Sequence, residues 1–341
     1  MPAFISEDNK LFVYGRNEYG QLGLGHKNTV KTLTQLEGFD NVTSVSTSWS
    51  NMIFVNNGEL FYCGKSDNYL DGVSVPIKIQ NFTNVSLVHN ARFSNLFIID
   101  NKLFVYGHNR YGQLGLGHNN NVNTPTQVNG FDNVTSVSCV KYRMAFINDK
   151  KLFICGCDHR GRFGLGSNIP TQVGIFDNVT SVSCGISHTV FVNNGKLFVY
   201  GNNYHGQLGL GHNKNIHIPI QVDGFDNVTE VSCGEAHTAF INDGKLFMCG
   251  INSDGRLGFG HNEPVIVPKQ IKNFNVTSVV CESTYTIFTS DDKLFMCKSI
   301  CDKSIYVEHN GSSYYECKPM EIPIKPYIPF KRFKRTKSAR N

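Results

Sequence analysis

Lys102-Leu103-Phe104-Val105-Tyr106-Gly107, followed by Gly112-Gln113-Leu114-Gly115-Leu116-Gly117-His118, decides the fold, because the chain repeats it. Lys196 to Gly201 and Gly206 to His212 restate it almost letter for letter. Copies start at Lys10, Glu59, Lys102, Lys151, Lys196, Lys245 and Lys293, so successive starts lie 49, 43, 49, 45, 49 and 48 residues apart. A period of roughly 40–50 residues marks a propeller or solenoid, whose units cannot bury their apolar faces alone.

Residues 219–250 serve as the expected blade. Pro219–Val222, Val228–Ser232, Thr238–Ile241 and Lys245–Cys249 read as four strands. Asn242-Asp243-Gly244 between two of them is a hairpin signal. Leu246, Phe247 and Met248 are apolar on both faces, which requires cover from neighbouring blades. The first copy has only two strands, Ala3–Ile5 and Lys10–Tyr14, while Tyr314–Cys317 and Met320–Pro323 follow the last. The expected fold is an all-β, seven-bladed β-propeller over residues 1–324. In it one blade is closed by the N- and C-terminal segments, which pair and so remove exposed sheet edges.

Of the 341 residues, those from Lys325 onward carry seven Lys or Arg and no acid, although the net charge is only +5. Residues 1–324 therefore sum to −2, and 325–341 form a basic tail expected to be disordered. No charged-then-apolar leader or long apolar run is present, so an intracellular protein, cytoplasmic or nuclear, without membrane contact is expected. Eleven cysteines recur in strand registers rather than in a framework, consistent with a reducing compartment. Asn-Val-Thr at Asn41, Asn133, Asn178, Asn227 and Asn275 reads as repeat grammar rather than as glycosylation acceptors.

Tyr-Gly-x-Asn-x-x-Gly-Gln-Leu-Gly-Leu-Gly-His, with Cys-Gly-x-x-His-Thr, resembles the repeat of the regulator-of-chromosome-condensation (RCC1-like) family, best at residues 14–26, 106–118, 184–212 and 233–261. The resemblance covers about nine-tenths of the chain and implies an RCC1-type propeller. The Asn-, Lys- and Ile-rich usage also resembles AT-rich genomes such as those of giant DNA viruses. Some members of the family catalyse guanine-nucleotide exchange with a β-hairpin inserted in one blade. Repeat spacings of 49 residues or less leave no room for an inserted one here. Light sensing by stacked tryptophans is not expected with Trp49 as the sole Trp, nor ubiquitin ligation without a further domain.

No catalytic residues, cofactor or metal site are expected. Gly20 to Gly25 lacks the spacing and the helix of a dinucleotide fingerprint. His26, His118, His212 and His261 share one repeat position, His188 and His237 another; spread around a ring, they suit turn hydrogen bonds rather than one metal. The Cys155/Cys157 and Cys297/Cys301 doublets do not assemble into a zinc framework.

Departures at exposed loops are where a recognition code would lie. The loop before the third predicted strand carries Trp49, then Arg92 and Phe93, then Lys141, Tyr142 and Arg143 in successive copies. Trp, Tyr and Arg dominate binding hot spots, so these six residues are the candidate partner-binding rim. Lys331, Arg332, Lys334, Arg335, Lys337 and Arg340 follow three prolines and form a candidate nuclear-import or nucleic-acid segment. The expected function is a non-enzymatic, monomeric protein-interaction scaffold with a protein partner; the resemblance adds a small GTPase or a histone as alternatives, hence exchange activity or chromatin binding.

Overall fold

The computed structural model describes residues 3–66, 69–91, 94–157, 167–298, 318–322 and 335–336. These residues form seven sheets, one per blade, and no helix. Blade 6 shows the pattern: Val228–Cys233, His237–Asn242, Lys245–Gly250 and Val265–Gln270 pair in sequence order, all antiparallel, from the inside of the ring to its rim. Asn242 pairs with Lys245 across a two-residue turn in which Asp243 and Gly244 both have positive φ (51° and 69°), the hairpin that the Asp-Gly pair predicts.

The expected blade is therefore shifted by one strand. Ile216–Gln221 is the outermost strand of blade 5, paired to Lys196–Gly201, and not the first strand of blade 6. The glycine linker joins the third strand to the outermost one within a blade, and the Gly-Phe-Asp-Asn-Val-Thr segment steps to the next. The phenylalanine of that step is useful at once. Phe225 packs edge-on to Phe240 and Phe247, which stack 5.5 Å apart as a registered cross-strand pair. Phe39, Phe131, Phe176 and Phe274 do the same in blades 2, 4, 5 and 7. Removing one such ring would cost about 3–5 kcal/mol.

Neighbouring blades are stitched along their innermost strands. The fifth residue of Val-Thr-Ser-Val-Ser-Cys accepts a hydrogen bond from the sixth-position amide of the next blade: Cys184 N–H to Ser138 Oγ (3.0 Å), Cys233 N–H to Ser183 Oγ (3.2 Å) and Cys281 N–H to Ser232 Oγ (2.9 Å). Between blades 2 and 3 the donor is Asn90 and the acceptor Ser46; between blades 3 and 4 the ring of His89 replaces the serine and accepts from Cys139. The last blade carries Val280 at this position. Its neighbour, blade 1, has only Ala3–Ile5, Leu11–Gly15 and Val30–Gln35 among the described residues, so no innermost strand offers an amide. Val280 instead joins Phe4, Phe12, Tyr14, Tyr285, Ile287, Leu294 and Met296 in a buried apolar cluster that closes the ring.

The terminal segments meet at this seam but in two different blades. Met320–Glu321 pairs with Phe295 and Met296 as the outermost strand of blade 7, not with the N-terminal hairpin. Blade 7 is thereby completed in sequence order like blades 3 to 6, and Val30–Gln35 already supplies the outermost strand of blade 1; Tyr314–Cys317 lies outside the described residues. Arg335–Thr336 adds a short parallel strand beside Val45 and Ser46, inside blade 2.

Candidate partner-binding face

Antiparallel blades place two kinds of loop at the same end of the ring: the turn between the first and second strands, and the linker between the third and the outermost. Side chains tie the two kinds together across three of the seams. Asn109, fully buried, orders its linker by accepting the Leu114 N–H at Oδ1 (2.9 Å) and donating to the His118 carbonyl (2.7 Å). Asn17, Asn203 and Asn252 repeat this. The linker Gln then reaches the next blade: Gln21 Nε2 donates to the Trp49 carbonyl (3.4 Å) and Gln113 Nε2 to that of Lys141 (3.3 Å), with Arg256 serving Ser283 likewise.

With the turn backbone engaged by the linker, aromatic side chains collect over two seams. Between blades 1 and 2, the Trp49 ring, 41 % exposed, lies 5.3 Å from Tyr19, and Lys65 Nζ stands 5.2 Å from the same tyrosine centroid. Between blades 3 and 4, Tyr142 meets Tyr111 edge-on at 4.6 Å and carries Lys141 Nζ 4.8 Å above its ring. Each cluster joins an aromatic pair to an ammonium held by the ring quadrupole. Tyr19 and Tyr111 were not among the rim candidates because they lie in the preceding repeat; their shared position before Gly20 and Gly112 was the available signal, and Lys65 opens the segment in which the second copy departs from the glycine linker.

The rim residues do not all reach this surface. Tyr142 is mostly covered by its neighbours. Arg143 begins the second strand of blade 4 and points inward: 4 % exposed, it donates to the carbonyls of Gly185 (2.9 Å) and His188 (2.5 Å) in blade 5. It is thus a brace between blades, where His188 and His237 reach Thr238 and Thr286 at the next two seams (3.0 Å each). Arg92 and Phe93 lie outside the described residues, as do Lys331, Arg332, Lys334, Lys337 and Arg340; of Arg335 only the backbone pairing is described.

One linker differs in kind. In blade 2, Glu59–Ser66 and Tyr69–Ile79 continue past the sheet as a hairpin that closes at Ser66 and Tyr69, where blades 1, 3 and 5 carry Gly-Gln-Leu-Gly. Repeat spacing excludes an insertion but not this exchange of linker for hairpin, which the sequence reading did not foresee. The hairpin flanks the Trp49 cluster: Lys65 N–H donates to the Ser50 carbonyl, and Gly72 packs against the backbone of Tyr19.

Elsewhere the polar groups serve the fold. Nδ1 of His26, His118, His212 and His261 each accepts a backbone N–H two residues on (3.1–3.3 Å). Among the described residues, no three His, Cys, Asp or Glu side chains converge as metal ligands, and no helix is long and apolar enough to cross a membrane. Burial raises the thiols of Cys63, Cys139, Cys155, Cys249 and Cys297 far above their ordinary pKa.

The family model of the regulator of chromosome condensation (RCC1) repeat matches residues 8–55, 100–142, 149–192, 194–241 and 243–288. The chain belongs to the RCC1 repeat family. The RCC1 repeats are 29% identical over 129 residues to the ultraviolet-B receptor of Arabidopsis thaliana, 34% of this chain and 29% of that protein. They are 36% identical over 127 residues to the secretion-regulating guanine nucleotide exchange factor of Mus musculus (33% and 27%). Over 135 residues they are 30% identical to the human X-linked retinitis pigmentosa GTPase regulator (35% and 13%). Each match thus spans less than a third of the relative's length. In fold, the RCC1 propeller superimposes on human WBSCR16 (TM-score 0.80, 20% identity, 93% of this chain and 94% of that one). It also superimposes on yeast RCC1 (Prp20) from its complex with Kap60 (TM-score 0.79, 17% identity, 94% and 85%).

Proposed function

We propose that this RCC1-repeat protein is a non-enzymatic interaction scaffold, intracellular and nuclear or cytoplasmic, that presents its linker face to a protein partner. The carrying observation is the pair of aromatic–lysine clusters, Tyr19/Trp49/Lys65 and Tyr111/Tyr142/Lys141, on loops whose backbones are already fixed by the linker. Fixed loops lower the ordering cost of docking, and the partly exposed rings of Tyr19, Trp49 and Tyr111 beside cations supply hot-spot chemistry. Arg92 and Phe93, at the equivalent sequence positions of the third copy, are part of the proposed surface. The tail cations Lys331, Arg332, Lys334, Arg335, Lys337 and Arg340 add nuclear import or nucleic-acid contact.

Affinity capture from host extract, read by mass spectrometry, tests this with the intact chain, a form ending at Pro329, and a Trp49→Ala/Lys65→Ala/Lys141→Ala variant. A protein lost only from the triple variant supports the scaffold. Partners lost only on removing the tail overturn the face and leave the tail as the binding element.

A second reading, binding of a small GTPase with nucleotide exchange, is favoured by the blade-2 hairpin and by similarity to a protein named as an exchange factor. Histone binding is the remaining alternative within the scaffold reading. Release of a fluorescent nucleotide from candidate GTPases separates the second reading from the first. Acceleration that disappears when Lys65–Gly72 is replaced by the glycine linker of residues 112–117 would favour exchange.

A further inference from the structure

Among the described residues, Arg335–Thr336 is the strand that lies inside the ring. It pairs in parallel with Val45 and Ser46 along the axial edge of blade 2. It also lies against Val85–Asn90, the innermost strand of blade 3. The pairing is parallel, so Arg335 to Thr336 runs as Val45 to Ser46 does, toward the linker face.

The seams give the reason that blade 2 receives it. From blade 3 onward, each innermost strand has an amide engaged by a side chain of the blade before. Ser44 accepts from Val88 (3.1 Å) and Ser46 from Asn90 (2.8 Å). His89, Ser138, Ser183 and Ser232 accept from Cys139, Cys184, Cys233 and Cys281. Blade 3 thus meets the added strand with Val88 and Asn90 already engaged, and gives it contact rather than pairing. The blade before blade 2 has no innermost strand among the described residues, and here backbone is added where the other seams use side chains. The wall is covered at the same place. Ser44, third in its strand, is 2 % exposed, whereas Ser136 and Ser181, third in blades 4 and 5, are half-buried. Ser278 of blade 7 is buried as well, but there it donates to the Glu230 carboxylate (3.2 Å) that covers it.

We propose that the axial edge of blade 2 is a strand-addition site, that the chain's own C-terminal segment is its occupant, and that docking there withholds the segment from nucleic acid. Main-chain pairing along a sheet edge binds an extended segment with little demand on its side chains. Charge favours this one: residues 1–324 sum to −2, while those that follow carry seven cations and no acid. Tethering adds to it. Arg335 stands only a short stretch of chain beyond Met320–Glu321 of blade 7, and a short tether gives an effective concentration on the order of 1 mM. The withholding rests on the nucleic-acid reading of the tail given above. With Arg335 and Thr336 paired inside the ring, the segment meets a phosphate backbone only after release.

Three full-length chains test this. They are the parent, Arg335→Pro/Thr336→Pro, which deletes both backbone donors, and Arg335→Ala/Thr336→Ala, which loses the same charge and keeps them. Amide exchange of residues 42–47 and the anisotropy of a labelled peptide of residues 330–341 address the site. The proline variant is expected to exchange there at least tenfold faster than the alanine variant and to bind the peptide at least tenfold more tightly, with the alanine variant like the parent. Equal exchange, a peptide bound equally or by none of the chains, or an alanine variant that behaves as the proline one overturns the site. A labelled single-stranded oligonucleotide at physiological salt addresses release. It is expected to bind the peptide, and the proline variant at least tenfold more tightly than the alanine variant of equal charge. Equal affinity for the two variants refutes the withholding and leaves the site standing. An oligonucleotide that does not bind the peptide refutes the nucleic-acid reading of the tail, and the withholding with it.

Discussion

Replacing Arg143 with alanine should lower stability and leave partner capture by the folded protein intact. Two hydrogen bonds from a charged donor to the Gly185 and His188 carbonyls disappear, each ordinarily contributing about 1.5–3 kcal/mol. Burying the guanidinium costs something that truncation recovers, and its charge already offsets in part the rise that burial imposes on the neighbouring Tyr200 phenol. The net expected loss is about 2–4 kcal/mol, a fall in melting temperature on the order of 5 °C for a chain of this size. Arg143→Met keeps most of the volume and should lose nearly as much, because the acceptors remain unsatisfied. Thermal unfolding by circular dichroism, with capture assayed below the transition, distinguishes brace from rim. A variant within about 0.5 kcal/mol of the parent that has lost its partner would refute the brace, since only surface positions are so tolerant.

Four further outcomes follow from the same geometry. Gly64 has φ 97°, and a Cβ there would lie 2.3 Å from the Ser50 carbonyl, so Gly64→Ala should cost about 2–4 kcal/mol in chemical denaturation. Asn109→Ala should cost about 2–3 kcal/mol and speed amide exchange across residues 110–118, because both ends of its amide organise that linker. Cys63, Cys139, Cys155, Cys249 and Cys297, whose thiols burial holds protonated, should react with a disulfide reagent only after denaturant is added, whereas the partly exposed Cys157 should react in the native state. The pKa of His205 is lowered first by burial and then by Arg256. The folded state therefore takes up this proton less readily than the unfolded chain, and stability falls as pH drops through the ordinary imidazole range; His205→Gln should flatten that part of a melting-temperature profile.

The propeller was legible because seven copies repeat both strand patterning and turn chemistry, down to the positive-φ pair Asp243-Gly244. The assignment of strands to blades was not. Ile216–Gln221 and Val228–Cys233 are close in sequence yet belong to different sheets, while Lys196–Gly201 and Ile216–Gln221 pair across a linker. Alternation along a strand says which faces are apolar, not which neighbour lies alongside. Val280 at the place of Ser138, Ser183 and Ser232 did mark the closing seam, but only the hydrogen bonds of the other copies give that exchange its meaning. Arg143 misled for a related reason. It stands one residue beyond the turn, where the first position of the next strand already faces a neighbouring blade. That the second copy departs from the glycine linker at Lys65–Gly72 is visible in sequence, but its hairpin form is not, because residue counts fix how much chain is present and not what it forms.

The serine stitch makes each repeat a tile with one outgoing and one incoming connector of fixed geometry. Identical tiles can be copied in tandem by gene duplication without inventing a new joint, since every new unit arrives with both halves. What ends such a series is a tile whose outgoing connector has been blanked, and Val280 does this: it accepts no amide and meets an apolar surface instead. In the language of polymers, the last repeat is a terminator.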